Sequence, residues 1–387
     1  MLKVRLNRDL RKTILQGHPW VYGEAIEKPK KVGEACLCQV LDKKGKPLAW
    51  AIYSPKSTLA LRIISIEKKP PNAAYFAKQI EKTHAWKKSH FTEDTNCYRL
   101  INGEGDGLPG FVCDIYGSLA VMQFDGDDCR EFWDQEFLAE SLLGLPGIET
   151  VYLKPRGSDQ FSGKLWGKEQ DLQKVAVNEN GVRFQVNVVD GQKTGFFLDQ
   201  RDNRQYVKNM AKGKSLLNLF SYSGGFSVCA GAGGATQVTS VDIAPEAILM
   251  ASENWKMNEL NPSQHKGESA DVFKWIENQS EKWDMVVVDP PSMTHSEKSK
   301  NQAIETYTDL FAKSINLVSP GGDLFLSSCS SHISFDDFQE IIVEACSRKR
   351  KRAKIIRISG QGPDHPFPHA APELRYLKFT HLRIEEN

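Results

Sequence analysis

The sequence predicts an α/β protein: an open parallel sheet covered by helices on both faces, preceded by a small α+β domain and a β-rich N-terminal module. Three observations carry that expectation. From residue 181 onward, short apolar runs alternate with helix-length segments. Before residue 70, short β-forming runs are separated by turn signals such as Asp42-Lys43-Lys44-Gly45-Lys46. Between these regions the two patterns mix. A length of 387 residues accommodates three domains, 1–70, 72–180 and 181–387, with Lys69-Pro70-Pro71 as the first linker.

In the N-terminal module strands are expected at Val4–Leu6, Glu34–Leu41, Pro47–Tyr53 and Leu59–Ile66, a spacing that suits a small barrel. In the middle domain Ala73–Lys88 and Glu131–Leu143 read as helices and Thr150–Lys154 as a strand. Two further strands flank Gly103-Glu104-Gly105-Asp106-Gly107-Leu108-Pro109-Gly110, where four glycines and a proline specify a tight loop. In the C-terminal domain the strands are Ser215–Leu219, Gln237–Asp242, Asp284–Val288, Asp323–Leu326, Lys354–Ile358 and Tyr376–Arg383. Helices fall at Phe226–Gly233, Pro245–Asn258, Val272–Asn278, Gln302–Leu317 and Phe335–Ala345. Pro245 at a helix start and Gly233-Gly234 after a helix end supply the caps.

Composition excludes several classes. With 40% hydrophobic and 26% charged residues the chain can build real cores, so wholesale disorder is excluded. Apolar runs such as Met285–Val288 are far shorter than the roughly 20 residues a membrane span requires. The N-terminus alternates charge with apolar side chains and lacks a signal-peptide centre, so a cytoplasmic location with no membrane partner is expected. The eight cysteines form no C-x-x-C pair and have no histidine at zinc-ligand spacing. No metal is expected, and the thiols are expected to stay reduced.

The net charge of +1 hides an uneven distribution. Residues 1–31 hold eight Lys/Arg against three acids, and residues 348–357 hold seven with no acid, so the rest of the chain is net acidic. Two basic patches on an acidic background suit a polyanion gripped at chosen places, although such runs often serve only as solvated faces. No feature marks an oligomeric contact; a homodimer would pair through an exposed sheet edge.

Ligands of open α/β sheets bind beyond the carboxyl ends of the strands. The first strand there runs into Asn218-Leu219-Phe220-Ser221-Tyr222-Ser223-Gly224-Gly225, and the second ends at Asp242. A flexible turn followed about 20 positions later by a carboxylate suits a ribose diol. The glycines are adjacent rather than spaced as G-x-G-x-x-G, so the pyrophosphate cradle of a dinucleotide site is missing. A nucleoside cofactor such as S-adenosylmethionine fits better, and a nucleotide-dependent oxidoreductase fits poorly.

The fourth strand exits through Asp289-Pro290-Pro291-Ser292. The prolines stiffen that exit, and Asp289 can hydrogen-bond the amino group or ring nitrogen of a flat base. Met293–Gln302, with Lys298 and Lys300, reads as a lid over phosphates. The next strand ends in Ser327-Ser328-Cys329-Ser330-Ser331-His332, and a cysteine among hydroxyl side chains at a strand exit has the setting of a nucleophile. Cys329 therefore outranks the other seven cysteines.

These stretches, together with Gly17–Tyr22, Arg99–Gly110, Gly191-Gln192-Lys193-Thr194-Gly195-Phe196-Phe197-Leu198-Asp199-Gln200-Arg201-Asp202-Asn203-Arg204 and Pro363-Asp364-His365-Pro366, resemble the bacterial 23S ribosomal RNA (cytosine-5)-methyltransferases that carry an N-terminal PUA domain. The resemblance spans nearly the whole chain. It implies a Rossmann-like class I methyltransferase sheet, a PUA-like RNA-binding module and S-adenosylmethionine as methyl donor. It places Phe196, Asp199 and Arg201 at the amino-acid end of the cofactor. Asn218, Phe220, Ser221 and Gly224 would line the pocket, Asp242 would hold the ribose, Asp271 and Phe273 the adenine, and Asp289 would border the cofactor as well as the base.

It also implies that Cys329 adds to carbon 6 of a cytosine in RNA while Asp289 holds and helps protonate the base. Many RNA cytosine-5 enzymes carry a second cysteine after the fourth strand, where this chain has Ser292. The group that removes the carbon-5 proton is thus unassigned, with His365 a speculative choice. A relative acting on guanine lacks a cysteine at the fifth strand's exit. Methyl transfer to another base such as guanine and a non-catalytic, RNA-binding ribosome-assembly factor are the competing readings. RNA contacts are expected from residues 1–31 and 348–357, with His18 and Trp20 as stacking or packing residues.

Overall fold

The computed structural model describes residues 1–29, 32–156, 162–294 and 296–386. Lys30 and Lys31 of the N-terminal basic stretch, and His295, lie outside the described residues. The chain divides into two compact units. The first comprises Met1–Val177, Val186–Leu198 and Pro363–Leu374; the second comprises Asn178–Gln185, Asp199–Gly362 and Arg375–Asn387.

The first unit holds two five-stranded sheets. One orders its strands Leu2–Arg5, Cys36–Leu41, Pro47–Tyr53, Leu59–Ser65 and Trp20–Tyr22 around a core that includes Val4, Val40, Ala51 and Leu61. The strand Trp20–Tyr22 is additional to the sequence expectation, being too short to show alternation. The other sheet runs Lys164–Gly167, Thr150–Leu153, Leu119–Phe124, Phe111–Tyr116 and Cys97–Asn102, with the helix Ala73–Lys88 packed on it. The expected helix 131–143 is two helices, Asp127–Phe132 and Gln135–Leu143. Asp134 breaks it, because its carboxylate caps the second helix by accepting from the backbone of Glu136 and Phe137.

A buried polar clamp holds the late segment Pro363–Leu374 in this unit. The Lys87 ammonium donates to Asp106 at 2.5 Å and to the Asp364 carbonyl at 2.9 Å. The Asp364 carboxylate accepts from the Arg99 backbone at 2.9 Å and faces His365 Nδ1 at 3.0 Å. Asn102 donates to the Pro366 carbonyl at 2.8 Å. Gly105 passes so close to that carbonyl that a Cβ would lie 1.9 Å from its oxygen. The 99–110 loop and the Pro363–Pro366 stretch are therefore two halves of one contact.

The second unit is built on a seven-stranded sheet. In chain order its elements are α1 (Arg201–Met210), β1 (Ser215–Leu219), α2 (Gly225–Ala232), β2 (Gln237–Asp242), α3 (Pro245–Met257), β3 (His265–Ser269), α4 (Val272–Glu277), β4 (Trp283–Val288), α5 (Lys300–Ile315), β5 (Val318–Ser328), α6 (Phe335–Arg348), β6 (Ala353–Ser359) and β7 (Lys378–Ile384). The strand order is β3-β2-β1-β4-β5-β7-β6. Order reverses between β1 and β4, the switch point at which such sheets open a crevice. The five strands β3 to β5 are parallel, whereas β7 runs antiparallel to β5 and β6. No crossover helix joins β6 to β7, so the chain returns in the opposite sense. One core, including Leu217, Val286, Tyr307, Phe311, Leu324 and Phe338, fills the space between sheet and helices.

Two elements were not expected. The strand β3 is polar and only partly buried, an edge recruited by its ladder with β2. The buried face of α1 is Arg201, Asn203, Arg204 and Val207, so charge pairing rather than apolar periodicity holds it down.

His265 on β3 stacks on Trp255 with ring centroids 4.8 Å apart and lies 2.8 Å from Ser240 Oγ. Burial pushes its imidazole down to about 4. An unfolded imidazole titrates near ~6.5. Folding therefore favours the neutral ring, and a stability loss sets in as pH falls through ~6.5 and is complete below about 4. Between about pH 7 and pH 5, wild type should lose on the order of 2 kcal/mol more than His265→Gln in urea unfolding. Equal losses in the two proteins would refute this assignment.

Candidate functional site

The carboxyl ends of β1, β2, β4 and β5 carry most of the residues singled out from sequence. The chain leaves β1 through a strained turn, with Phe220 at φ 60°, Tyr222 at 46° and Gly224 at 78°. Left-handed backbone at two non-glycine residues separated by a single residue is costly, of order 1–3 kcal/mol each, and is tolerated where surrounding bonds over-determine it. They do so here: Ser221 N donates to the Val241 carbonyl at 3.0 Å, Gly224 N to Ser221 O at 2.9 Å, and Tyr222 N to Asp242 at 2.8 Å. Asp242 also accepts from Ala244 N at 3.0 Å, one bond to each oxygen, so each oxygen retains capacity for another.

Two buried polar atoms in this turn, Asn218 Oδ1 and Ser221 Oγ, make no hydrogen bond. The amide nitrogen of Asn218 is committed to Ser227 Oγ at 2.9 Å, which leaves the oxygen facing elsewhere. Buried acceptors left in this way are costly unless a ligand or water satisfies them. Apolar surface lies beside them. Phe220 meets Phe273 edge-on at 5.7 Å, Phe273 is 37% exposed, and Ile243, immediately after Asp242, is 69% exposed. Ile243 was not singled out from sequence, although an apolar residue directly following a strand-exit carboxylate is the signal. Asp271 caps α4, accepting from Phe273 N at 3.0 Å, and so fixes the Phe273 backbone.

Asp289, half-buried at the β4 exit, accepts from Gln200 Nε2 at 2.9 Å. The same amide reaches Ser327 Oγ on β5 at 2.9 Å, while Asn203 donates to Gln200 Oε1 at 2.6 Å. Gln200 thus orients Asp289, a role invisible in sequence because its partners are 89 and 127 residues away. Asp199 is 2% exposed and accepts from Tyr376 Oη at 2.6 Å. Arg204 grips Glu179 with two bonds of 2.7 and 2.6 Å, and Arg201 stands 3.8 Å from the same carboxylate, less tightly engaged by it. Phe196 belongs to the first unit, 3% exposed, its N–H donating to Tyr116 Oη at 3.2 Å.

Cys329 follows β5 and is partly exposed, whereas Cys38, Cys97, Cys113, Cys129 and Cys229 are buried. None of the eight is in a disulfide. Burial pushes the Cys38, Cys129 and Cys229 thiols up to about 12, which makes them inert. The turn after Cys329 is stitched to the β4 exit by Ser330 Oγ, which accepts from Met293 N at 3.1 Å and meets Ser292 Oγ at 3.2 Å and Tyr307 Oη at 2.9 Å. Met293, the first residue of the segment expected to be a lid, is held by one of these bonds. Lys300 opens α5 and is spent on Asp337 at 2.8 Å, so it is not a phosphate ligand. His365, the speculative proton acceptor, is 1% exposed in the first unit and held by Asp364. Among the described residues no group of three or more His, Cys, Asp or Glu could hold a metal, and no helix is long and apolar enough to cross a membrane.

Comparison with known proteins agrees with this architecture. Residues 152–380 match the S-adenosylmethionine-dependent methyltransferase family, and residues 4–66 match a PUA-like domain. The Deinococcus radiodurans protein named ribosomal RNA large subunit methyltransferase is 34% identical over 99% of this chain and 98% of its own. The Vibrio parahaemolyticus protein named ribosomal RNA large subunit methyltransferase I is 34% identical over 97% of each. A candidate SAM-dependent methyltransferase from Streptococcus mutans shares the fold with a TM-score of 0.87 at 23% identity, covering 99% of this chain and 100% of that one. SMU.776, solved with SAH, gives 0.87 at 24% over the same shares. The chain belongs to the S-adenosylmethionine-dependent methyltransferases, and S-adenosylmethionine is its cofactor. The residues present fit it: the orphaned Asn218 and Ser221 oxygens, the Asp242 carboxylate and the exposed Phe273 and Ile243 offer polar and apolar partners to a nucleoside.

Gly224 sets the closest approach in the pocket turn, since a Cβ there would lie 2.7 Å from Ala251 Cβ. Gly213 has a similar φ of 75° in open space. Gly224→Ala should lower stability by about 1–3 kcal/mol more than Gly213→Ala in urea unfolding. Equal losses would show that the turn has room to relax.

Proposed function

We propose that this enzyme methylates carbon 5 of a cytosine in RNA, 23S ribosomal RNA being the best-supported substrate, through a covalent adduct with Cys329. The observation that carries this reading is a partly exposed cysteine at the β5 exit, tied through Ser330 to the Asp289-Pro290-Pro291-Ser292 exit of β4. The relatives' names, which specify ribosomal RNA, and the PUA-like module support the substrate class. Residues 1–70 form the RNA-binding module, 72–180 the α+β domain and 181–387 the methyltransferase domain of a cytoplasmic enzyme.

Asn218, Phe220, Ser221 and Gly224 line the cofactor pocket, Asp242 takes the ribose hydroxyls, and Asp271 and Phe273 border the adenine. Asp199 and Arg201 address the amino-acid end, where the guanidinium pairs with the carboxylate; Phe196 is assigned to that end by resemblance alone. The cofactor supplies an electrophilic methyl group. Carbon 5 of cytosine is a poor nucleophile while the ring is aromatic. The Cys329 thiolate adds to carbon 6, forming a carbon–sulfur bond and pushing its electron pair into the ring. Asp289, oriented by Gln200, hydrogen-bonds the ring nitrogen and passes it a proton, which leaves carbon 5 enamine-like. After methylation a base takes the carbon-5 proton, its electron pair forms the carbon 5–carbon 6 double bond and expels the Cys329 thiolate, and the ring nitrogen returns its proton to Asp289, which restores the aromatic ring. The target base must leave its stack to expose carbon 6.

For RNA phosphates the structure shifts weight within the basic stretches. Arg5, Arg8 and Arg11 pair with Glu27, Glu24 and Asp42, and Arg348 with Glu305 and Glu344. Lys349, Arg350, Lys351 and Arg352 make no ion pair among the described residues and are the better phosphate ligands. A homodimer would pair through the edge strand β6, whose Ile355, Ile356 and Ile358 are half exposed.

Cys329→Ala should abolish methyl transfer to ribosomal RNA while leaving cofactor affinity within about twofold, because the thiol addresses the base. Retained turnover in that variant would exclude the covalent route and favour another base or another nucleophile. Asp242→Ala should weaken S-adenosylmethionine binding by about tenfold or more in calorimetry, the loss of a charge-assisted bond to the ribose. Unchanged affinity would remove Asp242 from the pocket.

A further inference from the structure

Lys378, the first residue of β7, is 1% exposed and is used by no step above. Its ammonium donates to three backbone carbonyls, those of Ser330 at 2.7 Å, Ile333 at 2.8 Å and Tyr376 at 2.7 Å. Its three hydrogens are satisfied, and among the described residues no carboxylate pairs with it. A buried cation compensated only by carbonyl dipoles is expensive, and a neutral side chain of similar length would fill the space at lower cost. Its position is specific. Lys378 lies directly across the ladder from Ser328, and its ammonium grips Ser330, so the residues on both sides of Cys329 are in register with it or bonded to it.

We propose that Lys378 is a positioning residue for the nucleophile: it fixes the turn that presents Cys329 and supplies the positive field that favours the thiolate. The inference rests on the reading of Cys329 as the nucleophile. Charge near a thiol is what separates reactive cysteines from inert ones. Burial draws the ammonium down to about 8, and Cys329 and Asp337 act to hold its proton. The attraction is mutual, so the proton held on Lys378 eases loss of the proton from Cys329. The other titratable groups on the packed elements are Asp289 after β4, Tyr307 on α5, Asp337 at the head of α6 with its partner Lys300, and His332 with Glu297 in and near the turn. Lys378 is the buried cation of this set.

The test is the pH dependence of Cys329 alkylation by iodoacetamide in the full-length protein, followed by peptide mass spectrometry. Cys36 and Cys346, also partly exposed, serve as internal references. Wild-type Cys329 should react with a midpoint below the roughly 8.5 of an ordinary thiol. In Lys378→Met the midpoint should rise by about one unit, slowing alkylation near neutral pH about tenfold, with Cys36 and Cys346 unmoved. A folded Lys378→Met protein with an unshifted Cys329 midpoint would overturn the proposal, because a purely structural clamp predicts that result. Should the variant fail to fold, a wild-type midpoint at or above about 8.5 overturns it alone. Neither readout needs turnover, so this failure is distinct from retained methyl transfer in Cys329→Ala.

Discussion

The parallel pairing of β4 with β5 is the constraint on which the rest depends. It aligns Val288 with Leu326, so Asp289 leaves β4 beside Ser327, one residue before β5 ends at Ser328. Gln200 bridges those two residues with one amide, and Ser330 ties the following turn back to Ser292 and Met293. An acid one residue beyond this ladder and a thiol three residues beyond it are thereby carried on rigid strand ends, not on loops with their own freedom. Sites need this kind of support, since small displacements of reacting groups cost large factors in rate.

Much of this site is polar and buried, which explains what is unusual in the sequence around it. A helix held by Arg201, Asn203 and Arg204 has no apolar stripe, and α1 is seated instead by the bidentate guanidinium that Arg204 presents to Glu179. The same logic operates in the first unit. Lys87, Asp106, Asp364 and the backbone of Arg99 form a buried network joining segments more than 250 residues apart in sequence. Half-satisfied networks of this kind are worse than an apolar core, so each member constrains the others.

The sheet of the second unit was legible because its central strands are continuous apolar runs bounded by caps, and β1 and β2 fall at the expected residues. The polar edge strand β3, the charged helix α1 and the antiparallel return of β7 were not, since each depends on partners distant in sequence. The candidate residues at strand exits were legible for local reasons: Asp289 ends an apolar run, Asp242 follows the first turn at the spacing of a ribose-binding carboxylate, and Cys329 is a thiol among hydroxyl side chains. Gln200 and Lys378 carried no such signal. One lies in a polar stretch and the other opens a buried strand of mixed polarity, and only the fold brings them to Asp289 and the Cys329 turn. His365 shows the converse, a residue conspicuous by its motif that is committed to structure in the first unit.

The central claim is that the Cys329 sulfur bonds to carbon 6 of a pyrimidine. An RNA substrate carrying 5-fluorocytosine tests it most directly, because fluorine replaces the carbon-5 proton whose loss expels the thiolate. Incubated with S-adenosylmethionine and digested, the complex should yield a peptide containing Cys329 with a methylated fluorocytidine attached by a bond stable to denaturation. An adduct on another residue, or its absence while ordinary RNA of the same sequence is methylated, would contradict the account.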